Sequence, residues 1–172
     1  MRVDTVGHGT RPVEELVELL AGAGVETLVD VRRFPGSRRH PQFNGPALAA
    51  SVEAAGIAYR HAVELGGRRS GEPGEERFGC IRVAAFRSYA ARMTTQEWQA
   101  ALGAELAQPR PAFLCAETLW TRCHRRLIAE LLHARGHEVV HLVDPRRAEP
   151  HVPWEVAESR DGELFLCGER VA

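Results

Sequence analysis

The stretch Phe113-Leu-Cys-Ala-Glu-Thr-Leu-Trp-Thr-Arg-Cys-His-Arg-Arg-Leu-Ile128 indicates which class of fold this chain adopts. From Pro111 to Cys115 the residues are almost all apolar, which predicts a buried strand, and the apolar spacing after Cys123 predicts an amphipathic helix. A strand that passes through a polar turn into a helix is the repeating unit of α/β folds. The N–H groups at such a helix start favour a bound anion.

This turn also carries an unusual density of reactive side chains: Cys115, Glu117, Cys123, His124 and Arg125. Thiols and carboxylates act as nucleophiles or bases, histidine transfers protons, and arginine holds phosphates. The alternative is a buried core cysteine followed by a solvated helix start, because free cysteine is among the most buried residue types. The helix start and the neighbouring arginines favour the thiolate at Cys123, so we expect Cys123 to be the more reactive thiol.

Outward from this stretch, apolar runs bounded by glycine and proline predict five strands, at Arg2–Gly7, Thr27–Val31, Ile57–His61, Pro111–Cys115 and His137–Val143. Helical spacing predicts the segments between them, at 12–23, 44–55, 84–92, 95–107 and 123–135. Alternating strands and helices predict an α/β three-layer sandwich, with a mainly parallel sheet of about five strands and helices on both faces.

The chain divides into a single α/β domain over residues 1–150 and a C-terminal extension over 151–172. Within the extension, residues 154–159 and 163–167 flank Asp161-Gly162 and suggest a hairpin. The segment from Leu65 to Arg82 is rich in glycine and alternating charge, which predicts a mobile flap over the site.

The net charge, the length of the apolar runs and the cysteine content limit the classes of protein to which the chain can belong. The formal net charge is −1, so the chain has no global basic field for coating nucleic acid, although all 22 basic residues are arginine. No apolar run approaches the roughly 20 residues that span a bilayer. Four unevenly spaced cysteines suggest no disulfide framework, and the N-terminus has no secretory signal. We therefore expect a soluble cytoplasmic protein with reduced thiols and no membrane partner.

Ligands of open parallel sheets bind outside the carboxyl ends of the strands. In this chain every predicted strand ends in titratable side chains: His8 after the first, Asp30 and Arg32 at the second, His61 at the third, Cys115 and Glu117 at the fourth, and Asp144 at the fifth. Any one of them has an ordinary explanation in loop or turn chemistry. Together they predict one concavity around His8, Asp30, Cys115, Glu117 and His124.

Asp30 is the most specific single prediction, because it interrupts the apolar run Leu-Val-Asp-Val. A buried carboxylate needs a partner. One interpretation is an ion pair with Arg32 or another arginine. The other is a base, or a group that orients His8 or His124.

Two arginine-rich loops flank the predicted edge. One carries Arg32, Arg33, Arg38 and Arg39, and the other carries Gly66-Gly67-Arg68-Arg69. Together with Arg125 at the helix start and Thr10 after the first strand, these side chains predict a binding site for a small anionic molecule. A solvated arginine face is the alternative.

Known catalytic patterns fit the turn incompletely. A cysteine-phosphatase loop needs five residues between cysteine and arginine, whereas six separate Cys115 from Arg122. Zinc could use Cys115, Cys123, His124 and Glu117, but adjacent helical residues such as Cys123 and His124 point about 100° apart. The sequence therefore assigns no metal ligand and leaves any cofactor unknown. Acid–base or nucleophilic chemistry by Glu117 or Asp30 on a phosphate-bearing substrate fits the residue types.

Five separated motifs then resemble a known family: Gly7-His8-Gly9-Thr10, Asp30-Val-Arg32, Pro41-Gln-Phe-Asn44, Leu65-Gly-Gly67, and Leu114-Cys-Ala-Glu117 followed by Cys123-His-Arg125. They are similar to the domain of unknown function 488 family of small bacterial and archaeal proteins, over about residues 3–143. The resemblance implies an α/β domain whose motif residues coincide with the strand-end set, but no established activity. The family usually has serine where Gly9 stands, so Thr10 is the nearest hydroxyl here.

The sequence favours an enzyme that acts on a small phosphorylated or nucleotide-like substrate through Cys115, Glu117 and His124. A nucleotide or nucleic-acid binding or sensing module is the first alternative, and a metal-binding protein with His and Cys ligands is the second. An enzyme should hold its reactive groups within hydrogen-bond reach in a closed pocket. A nucleic-acid module should present arginines and aromatic side chains on an open groove.

Overall fold

A mainly parallel sheet forms the centre of the molecule in the computed structural model, which describes residues 1–172. Its strands are β1 (Arg2–Gly7), β2 (Thr27–Asp30), β3 (Ala58–His61), β4 (Pro111–Cys115), β5 (Glu138–Asp144) and β6 (Arg147–Pro150). Their order across the sheet is β3-β2-β4-β1-β5-β6, and only β6 runs antiparallel to its neighbour. The predicted α/β class is confirmed. The sequence missed β6, which follows β5 after a turn where Asp144 accepts the backbone N–H of Arg146 at 2.8 Å.

Five α-helices cover the sheet: α1 (Val13–Gly22), α2 (Gly45–Glu53), α3 (Ala84–Met93), α4 (Gln96–Leu106) and α5 (Arg125–Ala134). Apolar side chains of α1 and α2 pack on one face, and those of α3, α4 and α5 pack on the other. The Thr95 hydroxyl caps α4 by accepting the N–H of Trp98. None of these helices is long and apolar enough to cross a membrane.

The order of the strands creates a crevice between β1 and β4. The chain leaves β1 toward α1 on one face of the sheet, and it leaves β4 toward α5 on the opposite face. Loops that separate in this way leave a gap above the carboxyl ends of the two neighbouring strands. The crevice therefore lies at the edge that the strand-end residues predicted.

The C-terminal segment forms a small antiparallel sheet of β7 (Ala157–Arg160), β8 (Glu163–Leu166) and β9 (Glu169–Arg170). Leu164, Leu166 and Val171 are buried and join the same apolar core as α3, α4 and α5. The extension thus shares a core with the rest of the chain instead of having its own.

A disulfide joins Cys80 to Cys167, with Cα atoms 5.7 Å apart. The prediction that all four thiols are reduced is wrong at these two positions. The two cysteines are separated by 87 positions in the sequence, and nothing in the sequence indicated the contact, because it forms only when the small sheet packs beside the loop before α3. Disulfides are typical of oxidising compartments, so the cysteines no longer support the cytoplasmic location that was inferred partly from them.

A chain of polar side chains is buried between the sheet and α5. The Thr5 hydroxyl lies 2.6 Å from His141 Nδ1, and His141 Nε2 lies 3.1 Å from His151 Nδ1. His151 in turn lies 3.3 Å from the Glu130 carboxylate, and the Trp120 ring stacks on His141 at 4.0 Å. Burial, followed by the nearby charge of His151, lowers the pKa of His141 to about 3.

This shift predicts a pH-dependent loss of stability. Between pH 6.5 and 3 the unfolded chain protonates His141 while the folded protein keeps it neutral, so the unfolding free energy falls as the pH decreases. We expect His141→Gln to remove about 2 kcal/mol of the fall between pH 7 and pH 5. Urea unfolding at both pH values measures it. An equal fall in the unfolding free energy for wild type and His141→Gln would contradict the assignment.

Candidate active site

A cavity of about 380 Å³ opens above the carboxyl ends of β1, β2, β3 and β4. Many of the residues predicted from the strand ends and arginine loops line it: His8, Thr10, Arg32, Arg33, Arg68, Cys115, Glu117 and His124. Four loops that are far apart in the sequence therefore meet at one place, as expected for parallel strands of one sheet.

Several predicted site residues lie elsewhere. Arg38 and Arg39 are exposed on the loop after β2 but outside the cavity. Arg69 turns back to donate to the carbonyls of Gly66 and Glu64, at 2.9 and 3.3 Å. These three arginines are therefore not placed to hold a ligand in the cavity, because their own loops direct them to solvent or to the backbone.

Two other strand-end residues serve local structure. Asp144 caps the β5–β6 turn and lies outside the cavity. His61 is exposed, and its Nε2 donates to the Arg32 carbonyl at 2.8 Å. The part of the sheet edge that contacts the cavity is thus formed by the ends of β1, β2 and β4, and the loop after β3 closes one side of the cavity.

Asp30 lies behind the cavity wall in an ion pair with Arg32. Its side chain is fully buried and accepts Arg32 Nε at 2.8 Å and the Tyr59 hydroxyl at 2.7 Å. Arg32 also donates to the Phe43 carbonyl at 2.7 Å. Burial, followed by the charge of Asp30, raises the pKa of Tyr59, which keeps this hydroxyl a donor. Of the two interpretations of Asp30, the structure shows the ion pair, and Asp30 reaches the cavity only through Arg32.

His8 forms part of the wall beside Arg32. Its ring stacks on Phe43 at 4.2 Å, and Nδ1 donates to the Gly9 carbonyl at 2.8 Å. The remaining nitrogen, Nε2, lies 3.3 Å from Arg32 Nη1 and accepts from it. Burial lowers the pKa of His8 to about 4, and the charge of Arg32 acts in the same direction. His8 is therefore neutral near pH 7 with both nitrogens occupied, which suits an orienting group better than a base.

Two thiols and an imidazole meet at the floor of the cavity. His124 Nδ1 lies 3.8 Å from Cys115 Sγ and 3.6 Å from Cys123 Sγ. The other ring nitrogen, Nε2, lies 3.0 Å from the Val31 carbonyl oxygen, which can only accept. In the neutral ring Nε2 therefore carries the proton, and Nδ1 faces the two sulfurs with its lone pair.

The two thiols of this cluster differ in access and in acidity. Cys115 lines the cavity, whereas Cys123 lies behind it with 3% of its surface exposed. Contact with Cys123, followed by burial, raises the pKa of Cys115. Burial alone would raise the pKa of Cys123, but its contact with Cys115 and the His124 ring lower it. The more acidic thiol is thus the one that was expected from the sequence, yet it is not the one that a ligand reaches.

The cluster exists because α5 starts two residues later than the sequence predicted. Cys123 is extended, with φ −119° and ψ 150°, and His124 caps the helix that begins at Arg125. The 100° separation between adjacent helical residues therefore does not apply to this pair. The objection to joint coordination by Cys123 and His124 is wrong for this reason.

Arg125 was predicted to bind the ligand but is buried with 1% exposed surface. Its guanidinium donates to the carbonyls of Glu117 and Thr118 and to the Thr5 hydroxyl. Gly7 packs against the same loop, since a Cβ there would lie 1.9 Å from the Glu117 carbonyl oxygen. Arg125 therefore shapes the loop after β4 and leaves Glu117 at the rim of the cavity.

The loop after β3 covers the imidazole. A Cβ at Gly67 would lie 2.5 Å from His124 Nδ1, so any larger residue would push into the ring. Gly67 and Arg68 line the cavity, whereas Phe78 and Ile81 further along are fully buried. Phe78 and Ile81 thus anchor the second half of the loop in the core, although Glu76, Arg77 and Gly79 beside them are exposed.

Sequence reasoning did not identify some residues of the wall: Gly36, Ser37, His40 and Thr118. They lie in loops, where polar and glycine residues are ordinary, so their types carried no signal. The role of the Val31 carbonyl was invisible for another reason, because backbone groups have no sequence signature.

Comparison with known proteins gives one match. Residues 12–132 match the family described as domain of unknown function DUF488, which agrees with the motif resemblance. No curated protein and no solved structure matches the chain.

The geometry predicts which free thiol is modified in the folded protein. We expect iodoacetamide to label Cys115 before Cys123, because Cys115 reaches the cavity and Cys123 lies behind it. Timed labelling followed by peptide mass spectrometry measures both rates. In Cys115→Ser the remaining thiol should stay protected until the protein is denatured. Faster labelling of Cys123 in the native wild type would show that acidity outweighs access.

Proposed function

Because this chain belongs to the DUF488 family, whose description assigns no activity, we propose its function from the geometry of the cavity. The protein is an enzyme that acts on a small phosphorylated or nucleotide-like molecule. One observation carries this proposal: the cluster of Cys115, Cys123 and His124 lies at the floor of an arginine-lined cavity. A reactive centre and a means of holding an anion are thus present within one small volume.

The charge of the cavity wall supports an anionic substrate. Arg32, Arg33 and Arg68 line it, and Glu117 is the one carboxylate among the lining residues. Guanidinium groups bind phosphate oxygens through paired hydrogen bonds. Arg32 is already held by Asp30, so its orientation is set before a ligand arrives. Arg33 and Arg68 are exposed and can close on the ligand.

The size and rim of the cavity support a molecule of nucleotide dimensions. Its volume of about 380 Å³ falls within the range of small-molecule sites. Phe34 lines the cavity with 63% of its surface exposed, and the Arg33 guanidinium lies 5.3 Å from its ring centroid. An exposed aromatic ring beside an arginine offers a stacking surface for a base, while the arginines hold the phosphate.

The reacting end of the substrate would meet the floor of the cavity. Cys115 and His124 are the members of the cluster that line it, and both are more than nine-tenths buried. Glu117 lies at the rim on the same loop and supplies a carboxylate for proton transfer. In this arrangement the arginines position the substrate, the cluster contacts its reacting atoms, and Glu117 exchanges a proton with it.

A nucleic-acid module is less consistent with the same wall. Such a module needs an open groove in which several aromatic side chains stack on successive bases. Here the lining residues enclose a small cavity, and Phe34 is the one phenylalanine, tyrosine or tryptophan among them. A single nucleotide fits this arrangement better than a strand does.

Matched arginine variants test whether the cavity binds an anion. We expect the double variant Arg33→Ala/Arg68→Ala to weaken binding of adenosine monophosphate by about tenfold or more, since each guanidinium contributes charged hydrogen bonds. The control is Arg38→Ala/Arg39→Ala, which removes two exposed arginines from the loop after β2 without touching the cavity. Isothermal titration at two salt concentrations measures both. Equal losses in the two double variants would point to a general charge effect and contradict the proposed site.

Turnover is tested by incubating the protein with a panel of nucleotides and sugar phosphates and following products by mass spectrometry. We expect product formation with the wild type and with Arg38→Ala/Arg39→Ala. It should fall at least a hundredfold, on the order of a lost catalytic group, in Cys115→Ser and in Glu117→Gln. A product that persists unchanged in Cys115→Ser would remove the cluster from the reaction.

A further inference from the structure

We propose that Cys115, Cys123 and His124 bind one divalent zinc-like cation at the floor of the cavity. This deepens the proposed function, on which it rests for its use, because the ion would lie where the reacting end of the substrate is expected. Two thiols and an imidazole are ligand types that select zinc and related soft cations over magnesium or calcium.

The spacing of the three ligand atoms fits a tetrahedral ion. Zn–S bonds of about 2.3 Å and Zn–N bonds of about 2.0–2.1 Å imply an S···N separation of about 3.6 Å and an S···S separation of about 3.8 Å. The observed S···N distances are 3.6 Å for Cys123 and 3.8 Å for Cys115, and all three ligand atoms lie within 4.8 Å of one another. An ion can therefore enter without a rearrangement of the backbone.

The surroundings hold the ligands in a binding orientation. His124 Nε2 donates to the Val31 carbonyl at 3.0 Å, which leaves the lone pair of Nδ1 pointing at the sulfurs. Ligating histidines in metal sites nearly always make such a bond from the other ring nitrogen. The backbone N–H of Arg125 lies 3.5 Å from Cys123 Sγ and supports a thiolate there. Gly67 covers the ring face without a side chain that would obstruct the ion.

Without an ion, the cluster is incompletely satisfied. A single Nδ1 lone pair faces two sulfurs and can accept a good hydrogen bond from only one of them. A cation would bind the lone pair and both thiolates at once.

The three protein ligands leave one coordination position of a tetrahedral ion open, and the direction of this position suggests what the ion does. Cys115 and His124 line the cavity while Cys123 lies behind, so the open side of the ion faces the arginines. Sites with three protein ligands and one open position are typical of catalytic zinc, whereas structural sites are closed by four. When bound there, the ion would supply Lewis-acid chemistry to a substrate oxygen or a water.

Titration with the metal alone tests the proposal. Protein is freed of metal with a chelator, and Co²⁺ is added as a spectroscopic probe, followed by competition with Zn²⁺. We expect one Co²⁺ per chain, with thiolate-to-cobalt charge-transfer absorption and the visible bands of a tetrahedral site. Cys123→Ser and Cys115→Ser should each weaken binding on the order of a hundredfold or more, with loss of charge-transfer intensity. Glu117→Gln, which alters the cavity outside the cluster, should retain both.

A second measurement covers the case in which a cysteine variant fails to fold. In the wild type, Zn²⁺ should protect Cys115 from iodoacetamide at one equivalent, and the chelator should restore labelling. The absence of charge-transfer absorption together with undiminished labelling would overturn the metal site. Arg33→Ala/Arg68→Ala should bind the metal like the wild type. The test of anion binding and the test of metal binding can therefore fail independently of each other.

Discussion

The position of β4 between β2 and β1 is the constraint on which the site depends. Its hydrogen bonding continues past the strand ends: the N–H groups of His8 and Gly9 donate to the carbonyls of Cys115 and Ala116, at 3.0 and 2.9 Å. On the other side, Val31 donates to the Leu114 carbonyl at 2.9 Å, and its own carbonyl accepts from His124. The same ladder that holds the sheet therefore sets the geometry of the reactive cluster.

A buried charge pair supports this arrangement from behind. Asp30 interrupts an apolar strand, and its burial is tolerated because Arg32 and Tyr59 satisfy its oxygens. Breaking such a pair on one side typically costs about 3–5 kcal/mol, because an uncompensated charge remains in the interior. Arg32 then extends from the pair to His8 and to the Phe43 carbonyl, so one ion pair connects β2, the loop after β1 and the turn before α2. The anion-binding wall is therefore built on a structural ion pair.

The floor of the cavity combines proximity with isolation from water. Cys115, Cys123 and His124 lie within ten residues of one another, yet they meet only because the chain after the Trp120–Arg122 turn is extended at Cys123 before α5 begins. In a buried environment, charges and dipoles interact more strongly than in water. The two thiols and the imidazole are held at contact distance in this buried environment, where they can react with a substrate or bind a cation. The cluster is open on the side of the arginines, where an anionic ligand would bind.

The sequence by itself determined the elements and the edge at which the site lies. Apolar runs such as Thr27–Val31 and Pro111–Cys115 are buried wherever they pair, so their strand character and the carboxyl-end location of His8, Arg32 and Cys115 followed from local pattern. The tertiary structure alone decided the rest. Arg125 is buried under a loop, and Cys80 meets Cys167 across 87 residues, because these contacts depend on packing between distant segments. The convergence of Cys123 and His124 depended on two backbone dihedrals at a helix start, and residue types at the boundary do not specify where a helix begins to that accuracy.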